Sequence, residues 1–264
     1  MLDNTIIKVK KGIKPANSIL VVGLPGIGNV GKLVAEHLRR EFNAQKFATI
    51  YSPHFPHQVV MLKNGGIRLV NNRFYLIKAK KPSGNDIIIL TGDAQAVTPE
   101  GQYEVNSRIV KFFKDKLGGK FIYTIGGYNT GGGMGTASKV FGNATDKNVI
   151  AKFKDTDVIF GKSKGAIWGS AGMIIAFAKM AKIDAVCLMG ETSLLDVDAS
   201  AAKAVIVQLS KKLNLKVNTS ELDKIIDRTA KAISELEKQV GGMQQYPLPG
   251  GKSGEAEGRP SYIR

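Results

Sequence analysis

Apolar runs of strand length recur along the chain with helix-period segments between them, and this alternation restricts the fold more than any other feature. Strand-like runs lie at residues 5–9, 18–22, 47–51, 58–62, 66–70, 73–79, 86–90, 121–125 and 185–189. After the second run, Val30, Leu33, Val34 and Leu38 fall on one helical face. Helical periodicity over 104–117 turns Ile109, Val110 and Phe113 inward; another segment covers 170–182, and a third over 200–213 aligns Val205, Ile206 and Leu209. Strands separated by helices re-enter a sheet by crossing over it, which predicts an α/β fold with a mixed, largely parallel sheet flanked by helices. Between 58 and 79 the runs follow one another across short turns such as Asn64-Gly65-Gly66, so antiparallel pairing is expected there.

A long helix closes the patterned part of the chain. Thr219 or Ser220 can cap it, Glu221 and Asp223 suit its N-terminus, and Leu222, Ile225, Ile226, Thr229, Ile233, Leu236 and Val240 recur at three and four until Gly241 and Gly242 stop it. Such an amphipathic helix closes over its own domain or meets a second subunit. The expected organisation is one α/β domain over 1–240 and a flexible tail over 241–264, rich in proline and glycine. As a coil the tail spans about 25 to 30 Å. It ends in Tyr262, Ile263 and Arg264, an aromatic and an aliphatic group beside the terminal carboxylate. A carboxyl terminus of that kind is a docking handle, which makes these three the candidate partner-binding residues.

With 264 residues, 43% of them hydrophobic, the chain can bury a substantial core. The formal charge of +16 favours an acidic partner. No helix-turn-helix, zinc-finger or ribonucleoprotein pattern accompanies it, so specific nucleic-acid binding is not expected. The single cysteine, Cys187, lies in an apolar run without metal-ligand companions, which fits a reducing, cytoplasmic setting. No run reaches eighteen uninterrupted apolar residues, and Ile6, Lys8 and Lys10 alternate where a signal core would be apolar, so neither membrane insertion nor export is expected.

The stretch GLPGIGNVGK at residues 23–32 resembles two phosphate-binding loops and completes neither. Gly26, Gly28 and Gly31 satisfy G-x-G-x-x-G, yet Tyr51, Ser52, Pro53 and His54 stand where a dinucleotide fold wants an acid for the ribose. Gly26 to Lys32 also fits G-x-x-x-x-G-K, but Leu33 occupies the place of the magnesium-binding hydroxyl. Two readings follow: glycines that let the chain turn sharply and the helix approach the sheet, or a bare helix N-terminus in which Gly26, Gly28, Gly31 and Lys32 hold an anion.

Other catalytic patterns are incomplete. Ser170 in Trp168-Gly169-Ser170-Ala171-Gly172 lacks the glycine that a nucleophile elbow needs at position 168, and none of the three histidines follows it. His54 and His57 have no evident third metal ligand, and His37 reads as a surface or packing residue. Glu191, Asp196 and Asp198 follow an apolar strand at the end where α/β ligands bind, and form a candidate cryptic site; the alternative is that these acids cap the next helix. The glycine run from Gly126 to Gly135 reads as a functional loop or a plain connection. No cofactor, metal or enzymatic activity is expected.

Six blocks carry a family resemblance: GLPGIGNVGK at 23–32, YSPHFPHQV at 51–59, ILTGDAQAVTPEGQYE at 89–104, TIGGY at 124–128, GAIWGSAG at 165–172 and CLMGETSLLDVDASAA at 187–202. In this order they resemble the archaeal members of the proteasome assembly chaperone family, similar to the second eukaryotic assembly chaperone. The resemblance covers residues 1–240 and implies an α/β fold similar to nucleoside phosphorylases, a homo-oligomer, and association with the α-subunits of the proteasome core particle as an assembly chaperone or ATP-independent activator. It also implies docking through a C-terminal hydrophobic-tyrosine-any motif whose tail enters a pocket between α-ring subunits and whose carboxylate meets a lysine. This chain departs from that motif: Ile263 stands in the tyrosine position and Tyr262 in the hydrophobic one. The apolar filling and the carboxylate pairing remain, and an oligomer multiplies a weakened tail through effective concentration. The alternative is a small-molecule protein or enzyme, nucleotide- or purine-related, using the loop at 23–32.

Overall fold

The structure, a computed structural model, describes residues 2–13, 15–81, 83–130, 138–163, 165–192 and 197–243. The first half runs β1 (Ile6–Val9), β2 (Ser18–Val22), a 3-10 turn (Ile27–Asn29), α1 (Val30–Glu41), β3 (Gln45–Tyr51), β4 (Val59–Met61), β5 (Ile67–Leu69), β6 (Asn72–Ile77) and β7 (Ile87–Gly92). Then come α2 (Pro99–Lys116), β8 (Gly119–Tyr128), β9 (Val140–Ala144), α3 (Lys147–Ala151), β10 (Ile159–Phe160), α4 (Ser170–Met180), β11 (Asp184–Glu191), α5 (Ala199–Leu213) and α6 (Ser220–Met243).

Nine strands form one mixed sheet in the order β1-β3-β6-β7-β2-β8-β11-β9-β10. Its centre, β7-β2-β8-β11, is parallel. On one side β6, β3 and β1 add antiparallel strands; on the other, β9 runs antiparallel to β11 and carries β10 parallel to itself. β4 and β5 form a separate antiparallel ribbon joined through Asn64 and Gly65. The parallel centre and the antiparallel pairing between 58 and 79 follow the expectation from sequence.

Parallel strands are covered on both faces, which is why they read as unbroken apolar runs. Every residue of β7 is buried. Helix α2 packs beside α4, and α1 beside α5. Leu20, Val22, Ile88 and Leu90 of the sheet cluster with Val105, Ile109 and Phe113 of α2 and Ile174 of α4. Each fully buried side chain of this size contributes about 1.5 to 3 kcal/mol.

Local chemistry moves some boundaries. Helix α2 starts at Pro99, not near 104, because Thr98 caps it by accepting from the Gly101 amide and proline suits the first helical position. Its first turn is poor in apolar residues: Gly101 lies under the His54 side chain, where a β-carbon would stand 2.4 Å from His54 Cβ. Strands β9 and β10 and helix α3 were not anticipated, being short and interrupted by glycine and charge. Helix α6 passes through Gly241 and Gly242 to Met243, since glycine permits a helix stop without imposing one.

The chain divides into two units, residues 1–223 and 224–264. The first holds the sheet, helices α1 to α5 and the opening turn of α6, where Leu222 is buried and Asp223 pairs with Lys203 at 2.5 Å. The second begins at Lys224, inside α6.

Candidate functional site: a cleft at the ends of the parallel strands

Ligands of open α/β sheets bind beyond the carboxyl ends of the parallel strands. Three segments meet there in this chain: the turn after β2 (Gly26, Ile27), the end of β8 (Gly126 to Tyr128) and the loop entering α4 (Ala166 to Ser170). They enclose a cavity of about 270 Å³ floored by Val22, Leu24, Ile125 and Met189. Trp168 lines it while 87% exposed.

Gln95, in the loop after β7, ties the walls together. Its Nε2 donates to the Pro25 carbonyl at 2.6 Å, and its Oε1 accepts from the Ser170 amide at 2.7 Å. Gly169 makes this possible: its φ is +75°, and a β-carbon there would stand 2.4 Å from Gln95 Oε1. Ser170 is therefore the first residue of α4, 3% exposed, its backbone donor already engaged.

The glycine loop divides by role. A β-carbon on Gly23 would stand 2.0 Å from the Gly31 carbonyl oxygen, and one on Gly31 would stand 2.5 Å from the Ile125 carbonyl oxygen. Those two glycines bring α1 onto the sheet. Gly28, with φ at +61°, is buried against Thr192 and Asp198. Gly26 is extended and exposed, with only Gln95 Nε2 near its absent β-carbon. Of the candidate anion-binding residues, Gly26 and Gly31 line the cleft; Gly28 and Lys32 do not, and the Asp198 carboxyl beside Gly28 opposes an anion there.

Asp198 caps α5. It accepts from Thr192 Oγ1 at 2.7 Å, Ser200 Oγ at 2.7 Å and the Ala201 amide at 2.9 Å, while its own amide donates to the Gly28 carbonyl at 2.9 Å. Glu191 accepts from Thr130 Oγ1 at 2.6 Å. Asp196 and the tail residues Tyr262, Ile263 and Arg264 lie outside the described residues. His54 Nε2 faces Glu104 at 3.5 Å, and His37 is buried with Nε2 against the Asn218 carbonyl at 2.8 Å. Among the described residues no group of three or more His, Cys, Asp or Glu is placed to hold a metal ion. Burial pushes the Cys187 thiol up to about 11, with a hydrogen bond to Thr124 opposing.

A second surface feature is the β4–β5 ribbon. Val60 packs on the core, and Arg68 pairs with Asp93, which also accepts from Arg73 at 2.6 Å and from the Asn71 amide at 3.0 Å. Burial alone would raise the Asp93 carboxyl, but the bonds from Arg68 and Asn71 and the Arg73 charge outweigh it and hold it below its usual value. The other face presents Val59 opposite Leu69 and Met61 opposite Ile67, all at least half exposed. Gln95 and Trp168 were not singled out from sequence, where their only signal was their position inside the family blocks. The ribbon's two strands and its turn were read there, but not the exposed apolar face they present.

Residues 20–237 match the PAC2 family, and the chain belongs to it. An uncharacterized protein of Methanocaldococcus jannaschii is 38% identical over 237 residues, 89% of this chain and 84% of the relative. Among solved structures, Pyrococcus furiosus PbaB, an archaeal proteasome activator, is 36% identical with a TM-score of 0.83, covering 89% of this chain and 99% of PbaB. Pyrococcus furiosus PbaA, an archaeal homolog of proteasome-assembly chaperone, shares the fold at 23% identity with a TM-score of 0.74, over 92% and 95% of the two chains.

Proposed function

We propose that this protein is a non-enzymatic, cytoplasmic partner of the proteasome, an assembly chaperone or ATP-independent activator that docks its C-terminal tail on the α-ring of the core particle. The observation that carries the reading is the likeness to PbaB, at 36% identity over nearly all of both chains. The terminal Tyr262, Ile263 and Arg264 supply the docking handle, with Tyr262 and Ile263 filling an apolar pocket and the carboxylate meeting a cation. The +16 charge favours an acidic receiving surface.

The protein acts as a homo-oligomer. The support is the ribbon face formed by Val59, Met61, Ile67 and Leu69, an uncharged apolar surface held out by the Arg68–Asp93 anchor. A second copy of a chain this basic can approach such a face without like-charge repulsion at the contact. Several tails on one oligomer then offset the Ile263 departure. No helix among the described residues is long and apolar enough to cross a membrane. Native gels of the purified protein with archaeal core particles test the reading: a shifted complex is expected for the full chain and not for one ending at Ser261.

A further inference from the structure

The cleft is lined by Gln95, Tyr128, Trp168 and Ser170 beside its aliphatic and glycine residues. Among the described residues none of its lining groups is charged, so a phosphate or carboxylate entering it would lose hydration without a counter-ion. Its floor is aliphatic, and its volume of about 270 Å³ lies near the lower limit of small-molecule pockets. Trp168 holds an indole ring 87% exposed at the rim, where water is a poor neighbour for it. Ser170 adds an independent observation. The residue is 97% buried, its amide is held by Gln95, and it lines the cavity.

We propose that this cleft is a binding site for an uncharged aromatic ring with one hydrogen-bonding edge, the ring lying against Trp168 and the aliphatic floor and the edge meeting Ser170 Oγ. A phenolic side chain and a free nucleobase share this chemistry. The site does not depend on tail docking, and it stands or falls separately from the proteasome reading.

Trp168 is the single tryptophan, so its emission in the full chain reports the site alone. Titration with p-cresol represents the phenolic source and adenine the nucleobase; N-acetyl-leucinamide and benzoate are the aliphatic and charged controls. A saturable change is expected with p-cresol or adenine, identifying the source, with neither control matching it. Ser170→Ala is expected to weaken that binding about tenfold, the effect of one lost hydrogen bond. Gly126→Ala places a methyl in the cavity at 3.7 Å from Ala171 Cβ and 3.9 Å from Met189 Cγ, an ordinary contact, so it should reduce binding without lowering the melting temperature. Absence of a saturable response to both aromatic probes overturns the proposal. So does a response that both variants leave unchanged.

Discussion

Gln95 Oε1 accepts a hydrogen bond from the Ser170 amide at 2.7 Å, across 75 residues of sequence. With Nε2 on the Pro25 carbonyl, one carboxamide joins the turn after β2 to the start of α4. Gln95→Ala leaves both backbone groups without that partner and should destabilise the fold by about 1 to 3 kcal/mol. Gln95→Glu keeps the acceptor and loses the donor, so it should fall between. Urea unfolding of the three proteins checks the order; an alanine variant as stable as the parent would contradict it.

The glycines of the loop at 23–32 separate in the same assay. Gly23→Ala drives a methyl into the Gly31 carbonyl and should cost about 3 kcal/mol or more, as overpacking without room to relax does. Gly26→Ala meets only Gln95 Nε2 at 3.6 Å and should stay within about 0.5 kcal/mol of the parent. Equal losses at both positions would contradict the division of roles.

Asp93 gives the fold an acid-sensitive joint. Its carboxyl, depressed by Arg68, Asn71 and Arg73 against the opposing effect of burial, contributes stability that is present above the ordinary aspartate value and lost as pH falls through its lower folded value. Stability measured downward from pH 5 should drop on passing below about 4, and Asp93→Asn should flatten that part of the curve. An unchanged slope in the variant would count against the joint.

For the ribbon, Met61→Lys combined with Ile67→Lys puts charge on a face that is 86% and 67% exposed at those positions. Light scattering should report a smaller particle than the parent, with the melting temperature of the subunit preserved. A particle of parental mass would remove the ribbon from the oligomer contact.

The central sheet was legible because its strands are buried on both faces and therefore spell apolar runs, as the residues of β7 do. Strand β9 was not, since Gly142 breaks its pattern. That glycine is required by tertiary packing: a β-carbon there would stand 2.5 Å from the Phe160 ring. The candidate site was only partly legible. Asp198 reads from sequence either as a ligand group or as a helix cap, and its bonds to Thr192, Ser200 and Ala201 identify the cap. Gln95 carries no local signal, because both its partners come from distant segments.

The tail is the core of the functional account. Surface-plasmon measurement on immobilised archaeal core particles, comparing the full chain, a chain ending at Ser261 and the Ile263→Tyr variant, tests it most directly. Binding by the full chain, loss on truncation and tighter binding with tyrosine at 263 are the predicted results. Equal binding by the full and truncated chains, or none by any of the three, would contradict docking through the tail.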